Sequence, residues 1–137
     1  MVTKVLDSWA LMAFFQGEPA GAVVEAILHQ AAHEKVPLLL CVVNWGEIYY
    51  GTWRAGGKKA ADALVEDLSR LPLQLVVADL ALTQQAAAFK ATRKMSYADC
   101  FAAALAKIRN GELLTGDAEF KEVEKEIRIR WLNGNGR

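Results

Sequence analysis

At 137 residues with 53% apolar side chains, the sequence suits one domain, 1–137, with a single well-filled core, and is too short for a second. Lysine plus arginine number 16 and aspartate plus glutamate 16, which excludes a protein-wide field drawing in nucleic acid, so such binding must rest on local patches. No apolar stretch approaches the ~20 residues of a membrane span, and Cys41 and Cys100 lie too far apart in apolar surroundings to suggest a disulfide framework.

The N-terminus, Met1-Val2-Thr3-Lys4, lacks the apolar region and cleavage site of a secretory signal, so a soluble, cytoplasmic protein with no membrane partner is expected. Residues 2–6 read as a first strand ending at Asp7. Residues 20–34 carry Val23, Val24, Ile27, Leu28 and Ala31 at helical spacing, and Pro37 marks where that helix must have ended. A second strand, 37–43, leads to Asn44, an expected N-cap for a helix broken at Gly56-Gly57, and a further helix runs over 60–71. After a third strand, 73–77, Asp79 is placed to cap a helix over 80–94. Ser96 is placed to cap another over 97–109, which Asn110-Gly111 closes. Residues 113–115 form a fourth strand. In the fifth, 127–132, Ile127, Ile129 and Trp131 alternate with Arg128 and Arg130, the pattern of a half-exposed edge. Residues 133–137 read as a frayed tail. Strands separated by helix-length segments predict an α/β fold, a parallel sheet covered on both faces.

Four carboxylates stand out by position. Asp7 ends the first strand, Glu47 lies one turn into the helix after the second, Asp117 follows the fourth, and Asp99 sits in the first turn of the helix leading to it. In an open α/β sheet the ligand crevice lies outside the carboxyl ends of the strands, where strand order reverses. Asp99 shares a face with Ala102, Ala103 and Ala106, small enough to let that helix approach the sheet, and Gly116 permits a tight turn that aims Asp117. An acid at a helix start also serves as an ordinary cap, so the four carry weight jointly rather than singly. Converging carboxylates repel unless a cation neutralises them. Magnesium, which takes oxygen ligands and phosphate oxygens together, suits that role and supports hydrolysis of a phosphodiester.

Four segments carry a resemblance: Val5-Leu6-Asp7-Ser8-Trp9-Ala10-Leu11, Asn44-Trp45-Gly46-Glu47-Ile48-Tyr49-Tyr50-Gly51, Tyr97-Ala98-Asp99-Cys100-Phe101-Ala102-Ala103-Ala104 and Leu113-Leu114-Thr115-Gly116-Asp117-Ala118-Glu119-Phe120. In order and spacing they resemble PIN domains, and are most similar to the VapC-type toxins of toxin–antitoxin pairs. The resemblance implies a three-layer α/β/α sandwich with a five-stranded parallel sheet in the order 3-2-1-4-5. It implies endoribonuclease activity on RNA, a Mg2+ or Mn2+ site made by Asp7, Glu47, Asp99 and Asp117, a homodimer, and a VapB-like antitoxin. Ser8, Asn44 and Thr115 are then the polar neighbours that orient acids, water or phosphate.

Weaker signals remain. Lys90, Arg93 and Lys94 precede Asp99, and Arg54, Lys58 and Lys59 follow the Glu47 helix; both groups suit RNA phosphates, and equally suit a solvated face. Trp45, Tyr49 and Trp53 make a stripe expected to pack on the core or on a second subunit, and Trp9 beside Asp7 is expected to be buried. His29 and His33 with Cys41 would make three zinc ligands but lack a fourth. Glu119 reads as a first-turn acid answering a helix dipole. Two rival functions are a receiver-like domain using Asp79 as phosphoacceptor and a catalytically silent binding module. The receiver reading is disfavoured because Ser8, not a second acid, follows Asp7, and residues 127–132 hold no lysine.

Overall fold

In the computed structural model, which describes residues 2–133, five strands alternate with helices along the chain. In order they are β1 (Lys4–Leu6), α1 (Ser8–Phe15), α2 (Pro19–Glu34), β2 (Leu38–Cys41), α3 (Val42–Gly56), α4 (Lys58–Ser69), β3 (Leu73–Val76), α5 (Leu80–Thr92), α6 (Tyr97–Ile108), β4 (Glu112–Thr115), a 3-10 helix (Ala118–Val123) and β5 (Arg128–Trp131). All neighbouring strands pair in parallel, in the order β3-β2-β1-β4-β5, as the resemblance implies. The order reverses between β1 and β4, so a crevice opens beyond their carboxyl ends.

Burial follows strand position. β2 is buried throughout, as a central parallel strand covered on both faces must be, while β5 alternates exposed arginines with half-buried Ile129 and Trp131. One core lies where α5, α6 and the 3-10 helix cover the sheet, with Phe89, Met95, Phe101, Leu105, Phe120 and Val123. The other lies under α1 to α4, with Leu11, Val24, Leu28, Ile48 and Leu68. Ala102, Ala103 and Ala106 are fully buried, and α6 packs directly on β1, β2 and β4. Among the described residues no single helix is long and apolar enough to cross a membrane.

One helix was not anticipated, and two expectations need correction. The segment after Asp7 is helical: Asp7 caps α1 by accepting the Ala10 N–H at 2.9 Å, although the apolar residues 9–15 surround the helix too evenly to show a periodic face. Asn44 is no N-cap, because α3 already begins at Val42 with Cys41 in the capping position; Asn44 lies inside the first turn, buried. The first strand starts at Lys4, and Val2 is exposed. Asp79 and Ser96 do cap α5 and α6, accepting the N–H of Leu82 at 2.9 Å and of Asp99 at 3.2 Å. Most of the tail expected to fray, residues 134–137, lies outside the described residues.

Candidate functional site

The reversal of strand order brings two acids together from distant parts of the chain, since β1 and β4 are adjacent and Asp7 and Asp117 follow them. Asp7 is almost wholly buried. One of its oxygens accepts the Ala10 N–H and the other the Thr115 hydroxyl at 2.5 Å. Thr115 in turn accepts the Asp117 N–H at 3.0 Å, so a single hydroxyl sets the spacing of the two acids. Asp99 comes from the N-terminus of α6, which the alanine face lets down onto the sheet.

Three of these acids act on one another electrostatically. Burial pushes the Asp7 carboxyl up to about 7, opposed by Thr115 and Ala10 and assisted by the charge of Asp117. Asp99 rises to about 9, first through burial and then through its hydrogen bond with Glu119 and the charges of Asp117 and Asp7. Glu47 belongs to a second polar group on the α3 side. Its Oε1 accepts the Ser8 hydroxyl at 2.6 Å and, more weakly, the Asn44 amide at 3.5 Å. Asn44 also donates to the Ala98 carbonyl at 3.1 Å and so ties α3 to the α6 N-terminus, while its buried Oδ1 has no partner among the described residues.

Asp7, Glu47 and Asp117 are thus each turned onto donors of their own, and among the described residues no three acids are already aligned as a metal-ligand set. The chemistry of the group nevertheless fits a hard divalent cation. The donors are all oxygen, and two buried carboxyls are held far above their ordinary range, chiefly by burial and further by neighbouring acids, with no lysine or arginine relieving them. Linkage gives this a measurable sign. A carboxyl whose pKa is raised in the folded state stabilises the fold below its unfolded pKa and loses that contribution as pH rises to the folded value. Without divalent metal, melting temperature is therefore expected to fall from about pH 4, the unfolded value of both carboxyls, to about pH 9, with the Asp7 contribution already lost near pH 7. Asp99→Asn should flatten that fall; an equally steep variant would mean that the acids do not interact as placed.

Glu119 is a member of this group that sequence reasoning assigned elsewhere. It does lie in the first turn of the 3-10 helix, but its carboxylate accepts the Ser96 N–H and bonds Asp99. Those two partners lie twenty or more residues away in the chain, so no local pattern announced them. The basic residues are less free than expected. Lys90 donates to the Met95 carbonyl at 2.8 Å, Arg93 pairs with Glu126, and Arg54 lies over the Tyr50 ring at 5.0 Å. Lys94 is exposed. Trp45 stacks on Tyr49, Tyr49 meets Trp53 edge to face, and Tyr49 donates to Asp62 of α4, so the stripe is tied to a neighbouring helix through Tyr49 while Trp53 stays exposed. Trp9 is half-buried, its ring lying over Gly116, where a side chain would meet it at 2.2 Å. His29 and His33 are exposed while Cys41 is buried, so the zinc set is not assembled. Asp79 follows the edge strand β3, two strands from β1, and its side chain is spent on capping, which removes the basis for a receiver-like phosphoacceptor.

A family model described as PIN domain matches residues 4–126. No curated protein sequence matches the chain. Several solved structures share its fold. The DNA-bound VapBC of Salmonella typhimurium is similar over 96% of this chain and 99% of that one, at TM-score 0.70 and 20% identity. VapBC2 of Rickettsia felis, bound to a DNA fragment from its promoter, covers 93% and 97% at TM-score 0.73 and 13% identity. VapC20 of Mycobacterium tuberculosis, a toxin that cleaves the sarcin–ricin loop, covers 93% and 99% at TM-score 0.70 and 16% identity.

Proposed function

On the premise that this chain belongs to the PIN-domain family, we propose that it is a metal-dependent endoribonuclease acting as the toxin of a toxin–antitoxin pair. The observation that carries this reading is the meeting of Asp7, Asp99 and Asp117 beyond β1 and β4, with two carboxyls strongly shifted by burial and mutual charge. Those three acids would hold Mg2+ or Mn2+, with Glu47 on the facing side of the crevice. A bound cation of this kind activates water and neutralises charge on a phosphodiester.

The chain's own residues do the positioning. Thr115 orients Asp7 and the Asp117 backbone, while Ser8 and Asn44 hold Glu47, which is then available to orient the attacking water. A VapB-like antitoxin and a homodimer are part of the same proposal, supported by the solved VapBC complexes of like fold. Purified protein should cleave single-stranded RNA with Mg2+, lose cleavage in excess chelator and regain it with Mn2+. Cleavage undiminished by chelator would overturn the metal mechanism. Metal binding without cleavage of any RNA would turn the site into a silent binding module.

A further inference from the structure

Two loops deliver acids to the crevice without being fixed by sheet register. The turn at residues 93–96 leads into α6 and Asp99, and the 3-10 helix begins just after Asp117. A 3-10 helix is a weak element, with poorer hydrogen-bond geometry than an α-helix. These two loops are nevertheless stitched together. Ser96 N–H donates to Glu119 Oε1, Lys94 N–H to Glu122 Oε1 at 3.2 Å, Arg93 Nε to the Glu122 carbonyl at 3.2 Å, and Arg93 Nη2 to Glu126. These bonds span 23 to 33 residues of sequence, and each involves an ionised side chain, which makes it stronger than a neutral one.

The seam runs into the acids at its inner end. Ser96 Oγ accepts the Asp99 N–H, Glu119 N–H donates to Asp117 Oδ1 at 2.9 Å, and the Glu119 and Asp99 carboxyl groups are hydrogen-bonded. Glu119 therefore touches both loops and both acids. We propose that this seam sets the separation of Asp99 and Asp117, with Glu119 as a positioning residue and Arg93 as the clamp at the outer end. The proposal rests on the nuclease reading of the site. It gives Arg93 a role different from the phosphate contact its position before Asp99 suggests, because its guanidinium is already engaged by Glu122 and Glu126. Placement matters here because an ångström of displacement in a group that orients a reaction costs heavily in rate.

The test compares Glu119→Ala, Glu119→Gln and Arg93→Ala in the full chain, reading Mn2+ affinity by titration, amide exchange at Ser96 and Asp99, and kcat and KM on RNA. Glutamine keeps an oxygen that accepts the Ser96 N–H, whereas alanine removes it. Glu119→Ala should weaken Mn2+ binding about 10-fold, as loss of a group supporting metal ligands does, and should speed exchange at both amides. Glu119→Gln should restore most of both. Arg93→Ala should lower kcat several-fold with KM unchanged.

Equal losses in Glu119→Gln and Glu119→Ala would make Glu119 a metal ligand and overturn its positioning role. Wild-type affinity and exchange in Glu119→Ala would overturn the seam itself. A raised KM with intact kcat in Arg93→Ala would return that residue to the phosphates and remove the clamp. Wild-type protein that binds Mn2+ but cuts no RNA fails the nuclease reading alone, and affinity and exchange still decide the seam.

Discussion

Asp117→Asn is expected to lower RNA cleavage about 100-fold or more at saturating Mg2+, about 2.7 kcal/mol of transition-state stabilisation, with the fold retained. Asparagine is as good an N-cap as aspartate, so the bond from the Glu119 N–H that starts the 3-10 helix can persist. The Asp117 N–H still reaches Thr115, so the turn after β4 keeps its shape. What disappears is a negative charge that raises the pKa of both Asp7 and Asp99. Metal-free protein should therefore melt no lower than wild type, and slightly higher at alkaline pH, while the added stability conferred by metal shrinks. Rates and melts with and without Mg2+ separate these effects. A variant that cleaves at the wild-type rate would remove Asp117 from the site, and one that fails to fold would show the turn to depend on its charge.

Gly21→Ala is expected to destabilise the protein by about 3 kcal/mol and to lower its melting temperature by about 10 °C, at the upper end of overpacking effects. Gly21 lies near the start of α2 where that helix crosses α1. A Cβ placed there would stand 2.4 Å from the Ala13 carbonyl oxygen and 2.9 Å from the Phe14 Cα. Those are backbone atoms of a packed helix, so no side-chain rotation relieves the clash and the two helices must separate. The gain in helix propensity from glycine to alanine, roughly 1 kcal/mol, is too small to offset this. Gly51→Ala is the matched control, since nothing lies within 4 Å of a Cβ at that position inside α3, and it should be neutral or stabilising. Thermal or urea melts of the two variants decide the matter, and an unaffected Gly21→Ala would mean that α1 and α2 do not cross as closely as described.

Much of the candidate site was legible before any coordinates because its acids sit beside local signals. Asp7 and Asp117 each follow a short β-rich run, Asp99 lies three residues after a capping serine, and Glu47 stands one turn into a helix that follows a buried strand. What each acid touches was not legible. Asn44 has the composition of an N-cap and sits where one was expected, yet its amide is used across 54 residues on the Ala98 carbonyl. Glu119 looks like a dipole acid and is one by position, but its carboxylate is held by Ser96 and Asp99. Arg93 and Lys90 look free to meet phosphate until the fold supplies Glu126 and the Met95 carbonyl as partners.

Hydrophobic periodicity and capping chemistry are properties of neighbouring residues, and they determined the strands, the helices, the caps at Asp79 and Ser96 and the half-exposed character of β5. Periodicity failed at α1, because a helix apolar on nearly all sides shows no face. The spacing of Asp7 from Asp117 through Thr115, the tie from α3 to α6 through Asn44, and the seam from Arg93 to Glu126 were decided by tertiary structure alone. Each depends on which strands lie side by side, and a side chain's long-range hydrogen bond is set by that arrangement rather than by its neighbours in the chain.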